Sequence, residues 1–503
     1  MRQKTTYVFL YLVILQIARA SLQVFLFRQG FVSVSADEFT RAIRALNWSN
    51  QLTFDFLRDF TDVWLPFEKY LNGIALKLYP EVIITPRITV FLFSCLATVG
   101  LFILFKLSFD SYLIAILGTS IISFQPWFVW LSGTPMLEMY YFPFLFFGIA
   151  FIIHWLKNEK RWYAYLAGLC FLVGSGFHIQ SWIFINLINL LVFTFLLTKI
   201  RNTTKKHLLP YFGLFLISNL LIGLIWLIGI IQTGELLAPF RSHVGYSRWY
   251  YAYDQVPLLE KFLYYPKLVW GVLPVSLWAL IFIGVIITFK YKRLWNYIPF
   301  IIGVSALLMN SIANIFSAPA SAAPDRFSLF YTTLFLPYGV AGIFGLPQIT
   351  RRLNFGKYIQ LTGTLLLISF LFIGIRYNTH KIFQFPVGMP EDTIRTGYFL
   401  NRMLGTYPKS GKILIELRYW DFQAIRALTG REDLIIFDRN LDIYNRNLPS
   451  ILTEPSLSIC DFLFDQDVKW LALQDETLKT IAAQQHCLSL RKDIGRWKVF
   501  EVK

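Results

Sequence analysis

Charge is what this chain has least of. Asp, Glu, Lys and Arg make up 15% of its 503 residues against 56% hydrophobic ones, and mean hydropathy is +0.52. A soluble protein of this length needs more polar surface, so composition excludes that class. Cysteine is scarce too, with only four residues. Cys95 and Cys170 lie inside apolar runs and read as small buried hydrophobes, whereas Cys460 and Cys487 share a polar region and could pair in an oxidising compartment. No cluster resembles zinc ligands, no Gly-rich phosphate loop occurs and no internal repeat is visible. No small-residue cleavage site follows the apolar run after Met1 to Lys4, so that run is expected to be a retained span and not a signal peptide. The net charge of +17 is dispersed in short clusters between apolar runs. That distribution argues against a nucleic-acid partner and reads as a topology signal.

Long hydrophobic runs are what the chain has instead. A helix crossing a bilayer needs about 20 apolar residues. Such windows fall at 7–27, 82–105, 111–131, 137–156, 162–180, 181–198, 208–231, 268–289, 296–315, 326–347 and 357–376. The expectation is a polytopic α-helical membrane protein of about eleven spans, with abundant Phe, Tyr and Trp supplying lipid-facing and interfacial surface. A cytoplasmic N-terminus puts Lys106, Lys157/Lys160/Arg161, Lys199 to Lys206, Lys290 to Arg293 and Arg351 to Lys357 all on the inner side. The positive-inside rule then places residues 28–81, 232–267, 317–325 and the tail outside the plasma (inner) membrane. Within the first loop, Phe54, Leu57, Phe60, Trp64, Phe67 and Leu71 recur at helical spacing among charges, which predicts an amphipathic helix at the interface over Phe54 to Leu76. After Asn378 the composition becomes soluble in character. Strands are expected at Lys412 to Leu417, Asp433 to Phe437, Val468 to Leu473 and Trp497 to Val502, with helices at 391–404, 419–428, 456–464 and 475–485. The division is thus a transmembrane domain over 1–376, with a catalytic external loop at 28–81, and an extracytoplasmic α/β domain over 377–503.

The stretch from Ser33 to Arg41 carries two adjacent carboxylates just beyond the first span. Asp37 and Glu38 must sit in water or a polar cavity, where acid/base work is open to them. The plainer reading is a helix start over 36–47, with Ser35 as N-cap and the two acids facing the positive helix end.

Four stretches together resemble the GT-C superfamily of membrane glycosyltransferases, in particular the branch of glycosyltransferase family 39, the aminoarabinose transferase and the protein O-mannosyltransferases. Ala36-Asp37-Glu38-Phe39 looks like the acidic motif of the family's first external loop. Trp64-Leu65-Pro66-Phe67-Glu68-Lys69 occupies the place of a His-Pro-Pro-Leu-Gly-Lys motif, matching at Pro66 and Lys69. Leu131 to Glu138 resembles a Ser and Glu pattern between the third and fourth spans, and Asp325-Arg326-Phe327 resembles an Arg-Tyr that opens a late span. The resemblance covers roughly residues 1–350. It implies an inverting transfer of a sugar from a polyprenyl-phosphate carrier to a lipid, glycan or protein acceptor outside, with Asp37 as catalytic base and the site between the first loop and loop 232–267.

Such chemistry needs a base for the acceptor proton and cations for the departing phosphate. Asp37, supported by Glu38, suits the first need. Lys69, Arg241, His243, Arg248 and Arg326 suit the second, with Tyr250 among the aromatics that could face a sugar ring. An interfacial aromatic and basic belt accounts equally well for the 232–267 residues, and snorkelling for Lys69. Glu138, near the outer end of its span, could bind a sugar hydroxyl or the acceptor. Two neighbouring acids without a third make a poor cation cage, so no obligatory metal or other cofactor is expected. The rivals are a flippase or a ligase/polymerase of lipid-linked saccharides. A carrier should show charged or broken helices near the midplane, and the spans read as nearly charge-free.

Overall fold

The computed structural model describes residues 2–54, 64–199, 207–236, 256–290, 294–316, 324–352, 376–386, 388–406, 411–417, 420–439, 448–454 and 458–503. The chain forms two compact units. The first comprises Met1–Arg28, Phe54–Glu68 and Ile88–Phe385, and the second Gln29–Thr53, Lys69–Arg87 and Pro386–Lys503.

The first unit is a helical bundle. In chain order the elements are α1 (Arg2–Arg28), α2 (Asp37–Gln51), α3 (Pro66–Leu78), α4 (Ile84–Phe109), α5 (Tyr112–Ser123), α6 (Pro126–Gly133), α7 (Leu137–Asn158), α8 (Trp162–Ser175), α9 (Ile179–Lys199), α10 (Leu208–Thr233), α11 (Leu258–Val272), α12 (Val275–Lys290), α13 (Ile298–Phe316) and α14 (Leu329–Arg352). Of these, α2 lies in the second unit, and α3 and α4 begin or end there. Among the described residues seven helices are long and apolar enough to cross a bilayer, or nine if each of two bent pairs makes one span. Helices occupy ten of the eleven windows, α8 having only 14 residues. The window 357–376 lies outside the described residues but for Arg376.

Two windows expected as single spans are broken. The α5 and α6 axes differ by 65°, and those of α11 and α12 by 102°. Pro126 at the start of α6 cannot donate to the preceding turn, and the Gln125 side chain takes the orphan Phe128 N–H instead at 2.8 Å. Pro274 stands at the second break, where the N–H groups of Leu277 and Trp278 return to its carbonyl. Elsewhere helices close to backbone contact. A Cβ on Gly284 of α12 would lie 1.7 Å from the Tyr338 carbonyl oxygen of α14, so only glycine permits the approach. The abutting windows 162–180 and 181–198 require a tight turn between them, and it is present, α8 ending at Ser175 and α9 starting at Ile179. The expected amphipathic helix is shorter than its pattern. Phe54, Trp64 and Leu65 are non-helical, α3 opens at Pro66, and residues 55–63 lie outside the described residues.

The second unit is built on a five-stranded sheet of β1 (Lys412–Ile415), β2 (Ile435–Phe437), β3 (Val468–Leu473), β4 (Leu488–Ile494) and β5 (Trp497–Val502), ordered β2-β1-β3-β5-β4. β1 runs parallel to β2 and β3, while β3/β5 and β4/β5 are antiparallel. Alternation sends Ile413, Ile415, Trp470 and Val499 to one face, where α15 (Glu391–Thr406) and α16 (Asp421–Thr429) pack through Leu400, Phe422 and Ile425. The other face, with Leu414, Leu471 and Phe500, is covered by α17 (Ile459–Asp465) and α18 (Glu476–Ala483) through Leu463 and Leu478. Cys460 and Cys487 are disulfide-bonded.

At the carboxyl ends of the parallel strands the loops are tied together by acids. The buried Glu416 carboxylate, just after β1, accepts from the Gln474 and Asp475 N–H groups after β3 at 2.6 and 2.7 Å. Asp438, after β2, accepts from Leu417 N–H at 2.7 Å and pairs with Arg439. Helix α2, from the segment after α1, belongs to this unit. Phe39, Ala42, Ile43 and Ala45 form its buried stripe and pack against Ile394 of α15 and Ala424, Ala427 and Leu428 of α16.

Candidate active site

The acidic loop of the second unit separates the two neighbouring carboxylates into unlike environments. Ser35 is not the N-cap of α2: Ala36 holds that position in helical conformation without a side-chain cap. Ser35 Oγ instead accepts from the Asp37 N–H at 3.3 Å, and Glu38 reaches back to the loop before the helix. Glu38 is 4% exposed, and its Oε1 accepts from Val34 N–H at 2.7 Å and Ser35 N–H at 3.1 Å, folding the loop back onto the helix. Burial pushes its carboxyl up to about 7, against the opposing pull of the Val34 N–H, Arg87 and Arg41. Asp37 is half-buried, and no hydrogen bond or ion pair reaches its carboxylate from the described residues. Of the pair, Asp37 is therefore the carboxylate available to a substrate and Glu38 the one committed to the loop. Lys69, on α3 in the same unit, is partly buried with Nζ 5.0 Å from the Tyr70 ring centroid.

In the first unit, two residues 188 positions apart in sequence meet. Glu138 opens α7, and Arg326 lies in the 3-10 turn Pro324–Ser328 that leads into α14. Their side chains are buried, with Arg326 Nε 3.0 Å from Glu138 Oε1. Arg326 Nη1 also donates to Met136 Sδ at 3.7 Å, and its guanidinium lies 5.0 Å from the Phe327 ring. Glu138 Oε2 is buried without a partner among the described residues. One turn on, Tyr141 donates to Gln180 Oε1 at 3.0 Å and stacks on His178. An arginine this close to a carboxylate has its charge compensated, so the pair is suited to hydroxyl or amine groups more than to a lone phosphate. Arg241, His243, Arg248 and Tyr250 lie outside the described residues. Among the described residues no group of three or more His, Cys, Asp or Glu side chains could hold a metal ion.

The hydropathy windows concealed one residue. Arg19 is 3% exposed inside α1, so the spans are not all charge-free. Its Nη1 donates to Gln16 Oε1 (2.6 Å) and Thr98 Oγ1 (2.8 Å), and its Nη2 to Ser94 Oγ (2.7 Å) and Ser132 Oγ (2.9 Å). Phe91 and Phe128 flank the guanidinium at 5.4 and 5.0 Å. Gln16, Arg19 and Gln23 recur at helical spacing, and Gln23 donates to Val129 O at 2.6 Å. That polar stripe was the available signal, since a charge within a span marks function by default.

No protein-family model matches the sequence, and a search of curated proteins returns no match. Solved structures do match. ArnT from Cupriavidus metallidurans bound to undecaprenyl phosphate superposes with a TM-score of 0.63 at 13% identity, over 99% of this chain and 98% of that one. The Archaeoglobus fulgidus oligosaccharyltransferase in the apo form gives 0.57 at 12% identity, over 92% and 69%. The oligosaccharyltransferase AglB of Archaeoglobus fulgidus, in complex with an inhibitory peptide and a dolichol-phosphate, gives 0.54 at 15% identity, over 93% and 69%. At these identities the likeness establishes the fold. The chain is a multi-span membrane protein with the GT-C fold, its helical bundle accompanied by a small C-terminal sheet domain.

Proposed function

We propose that the protein is an inverting glycosyltransferase that moves a sugar from a polyprenyl-phosphate carrier to a lipid, glycan or protein acceptor on the extracytoplasmic face of the plasma (inner) membrane. The observation that carries this reading is the end-to-end likeness to a structure holding undecaprenyl phosphate. The acidic loop is consistent with it, because Asp37 keeps a partnerless carboxylate while Glu38 is fixed beside it. In the proposed step Asp37 takes the proton of an acceptor hydroxyl or amine as that group attacks the anomeric carbon. The bond from that carbon to the phosphate oxygen breaks, and polyprenyl phosphate leaves as a dianion. Lys69, Arg241, His243 and Arg248 are assigned to that developing charge, Tyr250 to the sugar ring, and the Glu138–Arg326 pair to hydroxyl or amine groups of sugar or acceptor. No metal or other cofactor is assigned a role. The N-terminus is assigned to the cytoplasm and the disulfide-bonded α/β domain to the outside, as the Lys and Arg distribution supports.

The test is incubation of the purified protein with a panel of polyprenyl-phosphate sugars, following acceptor-dependent release of polyprenyl phosphate. Asp37→Asn should lower turnover by about 100-fold or more with donor still bound, as for loss of a general base. Full activity in Asp37→Asn refutes the assignment. A second reading, a flippase for lipid-linked saccharides, draws on the two broken helix pairs and the buried Arg19. It predicts movement of intact donor across vesicles with no sugar released.

A further inference from the structure

We propose that Gly388 and Met389, at the entry to the C-terminal sheet domain, form a strap that positions the Asp37 loop, making Gly388 a positioning residue for transfer. The role in transfer rests on the Asp37 reading; the positioning itself does not.

A Cβ on Gly388 would lie 2.0 Å from Ser33 O, 2.6 Å from Ser33 C and 2.7 Å from Ser33 Oγ. Two of those three atoms are backbone, so alanine at 388 forces the strap or the loop to move. The next residue fastens what glycine admits: Met389 N–H donates to Ser33 Oγ at 2.6 Å, and its side chain packs on the cluster of Phe39, Ala42 and Ile43 along the inner stripe of α2. The strap thus holds the loop at Ser33 and the helix that the loop opens into.

From Ser33 the connection to Asp37 is continuous. Val34 and Ser35 donate their N–H groups to Glu38 Oε1, and Ser35 Oγ accepts from Asp37 N–H. Ser33, Val34, Ser35 and Glu38 are all buried, so displacement at Ser33 has little slack to dissipate before it reaches the half-buried Asp37. A base must meet its proton within hydrogen-bond reach, and misplacement by about 1 Å can cost about 100-fold in rate.

The experiment uses the full-length protein carrying Gly388→Ala, and separately Ser33→Ala, which removes only the Met389 hydrogen bond. Hydrogen exchange of the 33–37 amides should quicken at least tenfold in Gly388→Ala and less in Ser33→Ala, with the amides of β1 and β3 unchanged. Turnover should fall at least tenfold in Gly388→Ala while donor affinity stays within twofold. In an Asp37→Asn background the same glycine change should cost less than twofold, because its effect runs through Asp37; a merely structural glycine would cost the same in both backgrounds. Unchanged exchange in both variants overturns the strap. Quickened exchange with undiminished turnover, or an equal loss in the Asp37→Asn background, overturns its role in transfer. Should the wild-type protein transfer no sugar, the Asp37 reading falls, while the exchange measurements still decide whether the strap holds the loop.

Discussion

Replacing Arg19 by methionine should leave the stability of the protein nearly unchanged, although it deletes four short side-chain hydrogen bonds from the centre of a polar cluster, together with longer ones to the Ser94 carbonyl at 3.3 Å and Cys95 Sγ at 4.0 Å. Hydrogen bonds to a charged group contribute about 1.5–3 kcal/mol each, so the gross loss from the four short ones alone is on the order of 6–12 kcal/mol. Against it stands the burial of a cation with no carboxylate beside it among the described residues, which costs several kcal/mol even after relaxation. What decides the balance is the state of the partners left behind. Ser94 Oγ already donates to Phe91 O at 2.7 Å, Thr98 Oγ1 to Ser94 O at 2.8 Å and Ser132 Oγ to Phe128 O at 2.6 Å, so no hydroxyl proton is orphaned when the guanidinium goes. Methionine fills a similar volume and meets Phe91 and Phe128 with a thioether. The net change should lie within about 1 kcal/mol of zero, as when buried ionic clusters are replaced by apolar residues. Removing hydroxyl partners while keeping the charge should be far worse: the triple change Ser94→Ala, Thr98→Ala, Ser132→Ala leaves the cation only Gln16 Oε1, the Ser94 carbonyl and Cys95 Sγ and should cost about 3–5 kcal/mol. The assay is reversible unfolding in mixed micelles of wild type, Arg19→Met, the triple variant and the combination, read as a double-mutant cycle. An Arg19→Met protein weaker by more than about 3 kcal/mol, or a triple variant no weaker than Arg19→Met, would refute the reasoning. If the balance is as stated, Arg19 is kept for something other than stability.

Glu38 should make stability pH-dependent. With its carboxyl raised from 4.5 to about 7 in the folded protein, its contribution is fully present below pH 4.5 and lost as pH rises through about 7. The span corresponds to about 3 kcal/mol, so Glu38→Gln should flatten thermal unfolding between pH 5 and 8, and parallel profiles for the two proteins would refute the assignment. Arg241→Ala and Arg248→Ala should each weaken binding of a polyprenyl-phosphate donor without unfolding the protein, and unchanged affinity in both would return them to an interfacial belt. A cysteine introduced at Ser317 should react with an impermeant reagent from outside and one at Asn202 should not, both positions lying outside the described residues; the reverse pattern overturns the orientation.

Much of the fold was legible because a bilayer imposes one crude demand, about 20 apolar residues per crossing, which averaging detects. The same averaging hid what a single residue does. Pro126 and Pro274 break helices without lowering hydropathy enough to split a window, and Arg19 disappears among its apolar neighbours. In the sheet domain four strands stand out as short runs rich in Ile, Leu, Val and aromatic residues, whereas β4 was missed. Leu-Ser-Leu-Arg-Lys-Asp-Ile is exposed at its centre, sits at the sheet edge, and loses its alternation at an irregularity between Leu490 and Lys492. At the candidate site the sequence singled out Asp37 and Glu38 but not their division of labour, which depends on how the loop folds back from Val34. Nor could spacing foretell that Glu138 would meet Arg326, or that α2 would pack on α15 and α16, since both are contacts across hundreds of residues.

If the protein is the transferase proposed, the Glu416 carboxylate has a bearing on where acceptor recognition should be sought. In an open α/β sheet the crevice beyond the carboxyl ends of diverging parallel strands, here β1 and β3, is the usual berth for a ligand's anionic group. This domain arrives with the berth taken. An incoming phosphate would meet a negative charge and would have to strip Glu416 of the Gln474 and Asp475 amides, forfeiting two hydrogen bonds worth about 1.5–3 kcal/mol each. On the transferase reading, a crevice plugged in this way is a poor place to look for a bound anion, and variants meant to redirect specificity are better placed in α2 and the loop before it than at the carboxyl ends of β1 and β3.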